Sequence, residues 1–112
     1  MGMDLRRREG TEWDGAAEEY FCTNLWGWSS LIRVAKARKW RPRKTKRPLD
    51  SEGAWEGGYM SNDGQYVTPT AAAKWADALE RALARGDPAA KEDSVLIREF
   101  IAYCRGGGFE VW

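Results

Sequence analysis

The residues of this chain best suited to chemistry are cations. Between positions 33 and 48, in RVAKARKWRPRKTKRP, stand nine lysines and arginines and no acid. At that density their side chains neutralise phosphates, and neighbouring tryptophans offer flat faces on which bases stack. Trp26, Arg33 and Trp40, spaced by seven, share one face of a helix and would add stacking and cation–π capacity. The contact set read from the sequence is therefore Trp26, Arg33, Lys36, Trp40, Arg41, Arg43, Lys44, Lys46 and Arg47. The same cations would serve an acidic protein, a second copy, or the chain's own Glu9, Glu12, Asp14, Glu18 and Glu19. In a eukaryotic protein they would also read as a nuclear address. The signatures of RRM, KH and zinc-finger readers are absent. A tryptophan stripe is equally what a helix buried on two faces carries, and an exposed one suits a subunit interface as well as a ligand.

Other chemistries find less material. The chain has no histidine, which removes imidazole from catalysis and disfavours a zinc site. Cys22 and Cys104 lack CxxC spacing and read as small buried hydrophobes, with a bridge between them left open. Around SNDGQ, setting Gly64 at position six of a calcium loop puts Tyr59 and Thr70 where carboxylates belong, so a turn is the better reading. Gly106-Gly107-Gly108 lacks the Lys-Ser/Thr of a phosphate loop and reads as a helix stop. Glu18, Glu19, Asp50, Glu52, Glu56 and Asp63 lie near loops where a carboxylate pair could converge, but nothing sets their separation. The balance leans against an enzyme, with no cofactor and no metal. A Trp- and Tyr-lined pocket for a small molecule is a third reading.

These residues sit in a chain of 112 amino acids, enough for one compact domain that buries roughly two thirds of its unfolded surface. Apolar residues make up 43% and charged residues 31%, a globular balance. Seven tryptophans, at 13, 26, 28, 40, 55, 75 and 112, are many for this length and promise a large aromatic core. The net charge of +1 conceals a polarity: outside the basic segment nine cations face seventeen acids. No apolar run approaches the ~20 residues that span a bilayer, and MGMDLRRREG has no apolar stretch of the secretory kind. A cytoplasmic protein without membrane contact is expected.

The elements that must position the cations follow from periodicity. Residues 1–19 mix charge with glycine and read as a loose tail, leaving 20–112 as the domain. Tyr20-Phe21-Cys22 is a strand or a lead into a helix that Thr23 or Asn24 caps and that runs to about Lys39. Trp28, Leu31, Ile32 and Ala35 form its inward face. Pro42 and Pro48 keep the following segment extended. GGYMSNDGQYVT reads as a β-hairpin turning at Asn62-Asp63-Gly64. Thr68-Pro69 opens a second helix with Ala72, Trp75, Ala76, Leu79, Ala82 and Leu83 inward. Lys74, Asp77 and Arg81 point outward, the last two as an i, i+4 pair. Gly86 and Pro88 end this helix. A third, after Asp93 or Ser94, buries Leu96, Ile97, Phe100, Ile101 and Cys104 and stops at the glycine triplet, with FEVW as a last strand. The expected fold is α+β: about three helices packed on one face of a small antiparallel sheet made of the hairpin and the C-terminal strand.

N-L-W-G-W with its helix and K-W-R-P, then S-N-D-G-Q-Y-V with a helix, and G-G-F near the end resemble small uncharacterised bacterial proteins carried on mobile elements such as integron gene cassettes. The likeness spans roughly residues 20–112 and rests on structural punctuation. It implies no activity and assigns no catalytic residue. The leading expectation is thus a non-enzymatic interaction domain that self-associates or binds a protein partner through Trp-rich faces and the basic 33–48 segment. Sequence-independent nucleic-acid binding by that segment is the alternative.

Overall fold

The computed structural model describes residues 2–6, 20–41 and 65–111. Strands β1 (Gly2–Arg6) and β2 (Tyr20–Asn24) lead into helix α1 (Leu25–Lys36). Strand β3 (Gln65–Val67) precedes helices α2 (Pro69–Ala84), α3 (Pro88–Glu92) and α4 (Ser94–Arg105), and strand β4 (Phe109–Val111) follows. The four strands form one antiparallel sheet in the order β2-β1-β4-β3. The α+β class and the packing of helices against an antiparallel sheet are as expected.

Residues 2–6 correct the expected tail. Met3 and Leu5 are buried while Asp4 is half-buried and Arg6 exposed, the alternation of a strand with one covered face. Leu5 stands opposite Phe21 on one side and Val111 on the other, so β1 lies inside the sheet, not beyond it. The remainder of the expected tail, 7–19, lies outside the described residues. So do the first arm and the turn of the expected hairpin; its second arm, β3, pairs with β4.

The helices cover the sheet face that presents Met3, Leu5, Val67, Phe109 and Val111. Trp28, Trp75, Phe100 and Phe109 are fully buried and touch mainly edge to face. Trp75 lies 5.2 Å from Trp28 and 4.7 Å from Phe100, and Phe100 lies 6.0 Å from Phe109. Cutting any one of them to alanine costs about 3–5 kcal/mol. The Trp75 indole N–H donates to the Leu31 carbonyl at 3.1 Å, which fixes the ring between α1 and α2. Caps set the helix starts as the sequence foretells. Asn24 accepts from the Gly27 amide at 2.8 Å and Thr68 from the Ala71 amide at 3.1 Å, with Pro69 in the first turn.

Two further departures concern the helices. Pro88 begins the five-residue α3 as well as following α2, so four helices stand among the described residues where about three were expected. Asp77 does not pair with Arg81. Its carboxylate accepts from Arg105 of α4 at 2.7 Å, and Arg81 reaches the Arg38 carbonyl at 3.4 Å. A partner across the helix interface wins over the neighbour one turn away, since isolated i, i+4 pairs are worth only about 0.2–0.5 kcal/mol.

Candidate functional site

The basic segment leaves α1 through a tight turn. The Lys39 amide donates to the Lys36 carbonyl at 3.1 Å and the Trp40 amide to the Ala35 carbonyl at 3.3 Å. Lys39 itself has φ +66°. These are the two bonds and the left-handed residue of a Schellman cap. The end of α2 repeats the motif: Gly86 N–H donates to Leu83 and Asp87 N–H to Ala82, each at 3.1 Å, with Gly86 at φ +69°. The turns are clasped by Arg38, whose guanidinium donates to both carboxylate oxygens of Asp87 (Nε to Oδ2 at 2.8 Å, Nη2 to Oδ1). Arg38's hydrogen bonds, with its charge and that of Arg85, hold the Asp87 carboxyl below its usual range; the same partnership raises Arg38.

The left-handed turn folds Trp40 back onto Trp75, stacked at 4.7 Å and 22°, and leaves it 8% exposed. This corrects the expected stripe. Trp40 is a core residue, because α1 stops at Lys36 and the chain then reverses out of the helical register. Trp26 behaves oppositely: it is 85% exposed in the first turn of α1, beside the exposed Leu25. Arg33 and Lys36 are exposed on α1, and Arg41 is exposed past the turn. Arg43, Lys44, Lys46 and Arg47 lie outside the described residues, as do the carboxylates Glu18, Glu19, Asp50, Glu52, Glu56 and Asp63.

With Trp40 turned inward, its neighbours Lys39 and Arg41 stand at the rim of a cleft of about 610 Å³. The opposite wall is α2, which presents Thr70, Lys74, Asp77 and Arg81 along one stripe, with Trp40 and Ala71 as apolar lining. Among the described residues, four cations from two parts of the chain therefore face one carboxylate. That carboxylate is engaged: Asp77 accepts from Arg105, which also reaches Glu80 at 3.0 Å. Among the described residues Lys39, Arg41 and Lys74 have no carboxylate partner. The sequence singled out Arg41 but not Lys39, Lys74 or Arg81. The polar spacing 70, 74, 77, 81 was visible as a helix face, and only the fold sets it opposite the basic segment.

At the other end of α1, the Ser30 hydroxyl donates to Asp93 at 2.5 Å. Leu96 lies so close to Gly27 that a Cβ there would meet its Cδ2 at 2.9 Å. The start of α4 thus touches α1, and Val95 on α4 is exposed, as are Leu25 and Trp26 on α1. Cys22 is exposed and Cys104 buried, and no disulfide joins them. Among the described residues no three Cys, Asp or Glu side chains gather to hold a metal ion, and no helix is long and apolar enough to cross a membrane. No protein-family model matches the chain, and neither a curated protein nor a solved structure matches it.

Proposed function

We propose that the chain is a non-enzymatic, cytoplasmic interaction domain that self-associates through the end of α1, with the basic segment as its electrostatic contact. The observation that carries this reading is Trp26, 85% exposed where Trp28, Trp40 and Trp75 are all buried. Tryptophan and arginine dominate the energetics of protein interfaces, and the exposed Leu25 adjoins Trp26 in the chain while the exposed Arg33 lies two turns along the same helix face. The bacterial mobile-element origin implied by the sequence resemblance belongs to the same proposal. Sedimentation or light scattering across a concentration series tests it. A dimer that Trp26→Ser converts to monomer, with the melting temperature unchanged, is the expected outcome. A chain that stays monomeric up to about 1 mM, where association free energy is only about −4 kcal/mol, overturns it.

A second reading is favoured by the convergence of Lys39 and Arg41 with Lys74 and Arg81. Cations gathered from separate elements at the root of a nine-cation segment suit the backbone of a nucleic acid. Fluorescence titration with single- and double-stranded DNA and RNA at low and near-physiological salt separates the two. Binding whose log K falls steeply with log salt supports a nucleic acid, and no binding even at low salt discards it.

A further inference from the structure

We propose that the cleft between the 39–41 turn and α2 is a discrete site for a phosphate-bearing ligand, held by Lys39, Arg41, Lys74 and Arg81. It shares its cations with the nucleic-acid reading but does not need a polynucleotide. The first ground is that, among the described residues, charge is left unneutralised there. Arg38 and Arg105, next to the cleft, are each matched by carboxylates, in a chain with seventeen acids. Lys39, Arg41 and Lys74 have none among the described residues and stand around one cavity, where their mutual repulsion is a standing cost that a bound anion removes.

The second ground is backbone conformation. Two identical caps end α1 and α2, and the one at α2 uses glycine for its left-handed position. The one at α1 uses Lys39, against the preference of any residue with a Cβ. That residue lines the cleft. Strain kept where glycine would relieve it marks a side chain retained for what it touches.

The third ground is shape and charge. About 610 Å³ falls within the range of small-ligand sites, and the apolar Trp40 and Ala71 in the lining reduce the water that competes for the anion. Among the described residues, three cations without a carboxylate partner plus the guanidinium of Arg81 exceed what the one carboxylate of the lining can satisfy. A phosphate monoester or diphosphate, multiply charged and with several acceptor oxygens, fits them. Asp77 does not oppose this, because Arg105 meets its charge.

The probe is inorganic pyrophosphate, titrated into the full chain by calorimetry, with intrinsic tryptophan fluorescence as a second readout and a ten-residue thymidine oligonucleotide as a parallel ligand. The expected result is saturable pyrophosphate binding with Kd below about 1 mM. Lys74→Glu should weaken it by at least about tenfold, while Arg98→Glu, exposed on α4 and outside the cleft lining, leaves it unchanged. Lys74 is exposed and has no ion-pair partner among the described residues, so the variant keeps the fold, and a thermal melt verifies this. No saturable binding overturns the proposal, and so does an equal loss from both variants, which would mean diffuse charge. Pyrophosphate binding without oligonucleotide binding sustains the site as one for a free phosphorylated ligand and removes the nucleic-acid reading. Oligonucleotide displaced by pyrophosphate sustains the site as a seat for a strand's phosphates. Oligonucleotide that pyrophosphate cannot displace leaves the nucleic-acid reading standing and overturns the discrete site.

Discussion

The left-handed lysine allows a test in which the geometry fixes both sign and size. Lys39→Gly removes a Cβ from a residue at φ +66°. The left-handed conformation costs a residue with a Cβ about 1–2 kcal/mol. Glycine's greater freedom in the unfolded chain returns about 0.4–1 kcal/mol of that. The net expectation is a variant more stable by about 0.5–1 kcal/mol. With an unfolding entropy of about 2.1 cal/mol/K per residue, this raises the melting temperature of the 112-residue chain by about 2–4 °C.

The matched cap at Gly86 supplies the reciprocal change. A Cβ there would meet the flexible end of Lys91, its Cε at 3.3 Å and Nζ at 3.8 Å, so conformation and not crowding sets the cost. Gly86→Lys should therefore lose about what Lys39→Gly gains. Thermal melts by circular dichroism, backed by urea midpoints at unchanged m-value, measure both. A Lys39→Gly protein no more stable than the parent, beside a destabilised Gly86→Lys, would mean that the lysine side chain supplies folding energy of its own. Two neutral variants would refute the strain argument altogether.

Gly108→Ala places a Cβ 2.7 Å from the Val67 carbonyl oxygen, a backbone atom of the paired β3, so the strand must shift and stability should fall by about 1–3 kcal/mol in urea unfolding; an unchanged midpoint would refute that packing. Asp87, whose carboxyl is lowered chiefly by the Arg38 hydrogen bonds, contributes stability that is full above the unfolded aspartate value of about 4 and disappears as pH falls through the lower folded value. The stability gap between parent and Asp87→Asn should be constant from neutral pH to about 5 and close in more acid solution, and a gap that does not narrow would contradict the pairing.

What could be read from the sequence was local. α2 carries its start in Thr68-Pro69, its inward stripe at 72, 75, 76, 79 and 82, and its stop in Gly86, all within one stretch of chain. The start of α3 carries a similar signature, Asp87-Pro88, but the proline read as the end of the previous helix, because a stop and a start sit side by side. β1 was missed for a different reason. Four residues alternating Met3, Asp4, Leu5 and Arg6 make a strand only when β2 and β4 supply hydrogen-bonding partners, and β4 lies about a hundred residues away. Trp40 failed through extrapolation. The helical wheel was carried past Lys36, and a lysine at the left-handed position gives no warning that the helix has ended.

That silent turn explains why the candidate cleft was only half legible. Seating Trp40 on Trp75 forces the residues on either side of it outward, so one burial event both completes the aromatic core and aims Lys39 and Arg41 at α2. Stability and cation placement are therefore coupled at Trp40, and removing that ring would confound the two. They separate at Lys39. Glycine there preserves the turn and the seat of Trp40 while deleting one cation, so a cleft that holds phosphate predicts a variant that melts higher and binds pyrophosphate more weakly. Stability gained without affinity lost would show that the lysine is kept in its strained conformation for something other than the cleft.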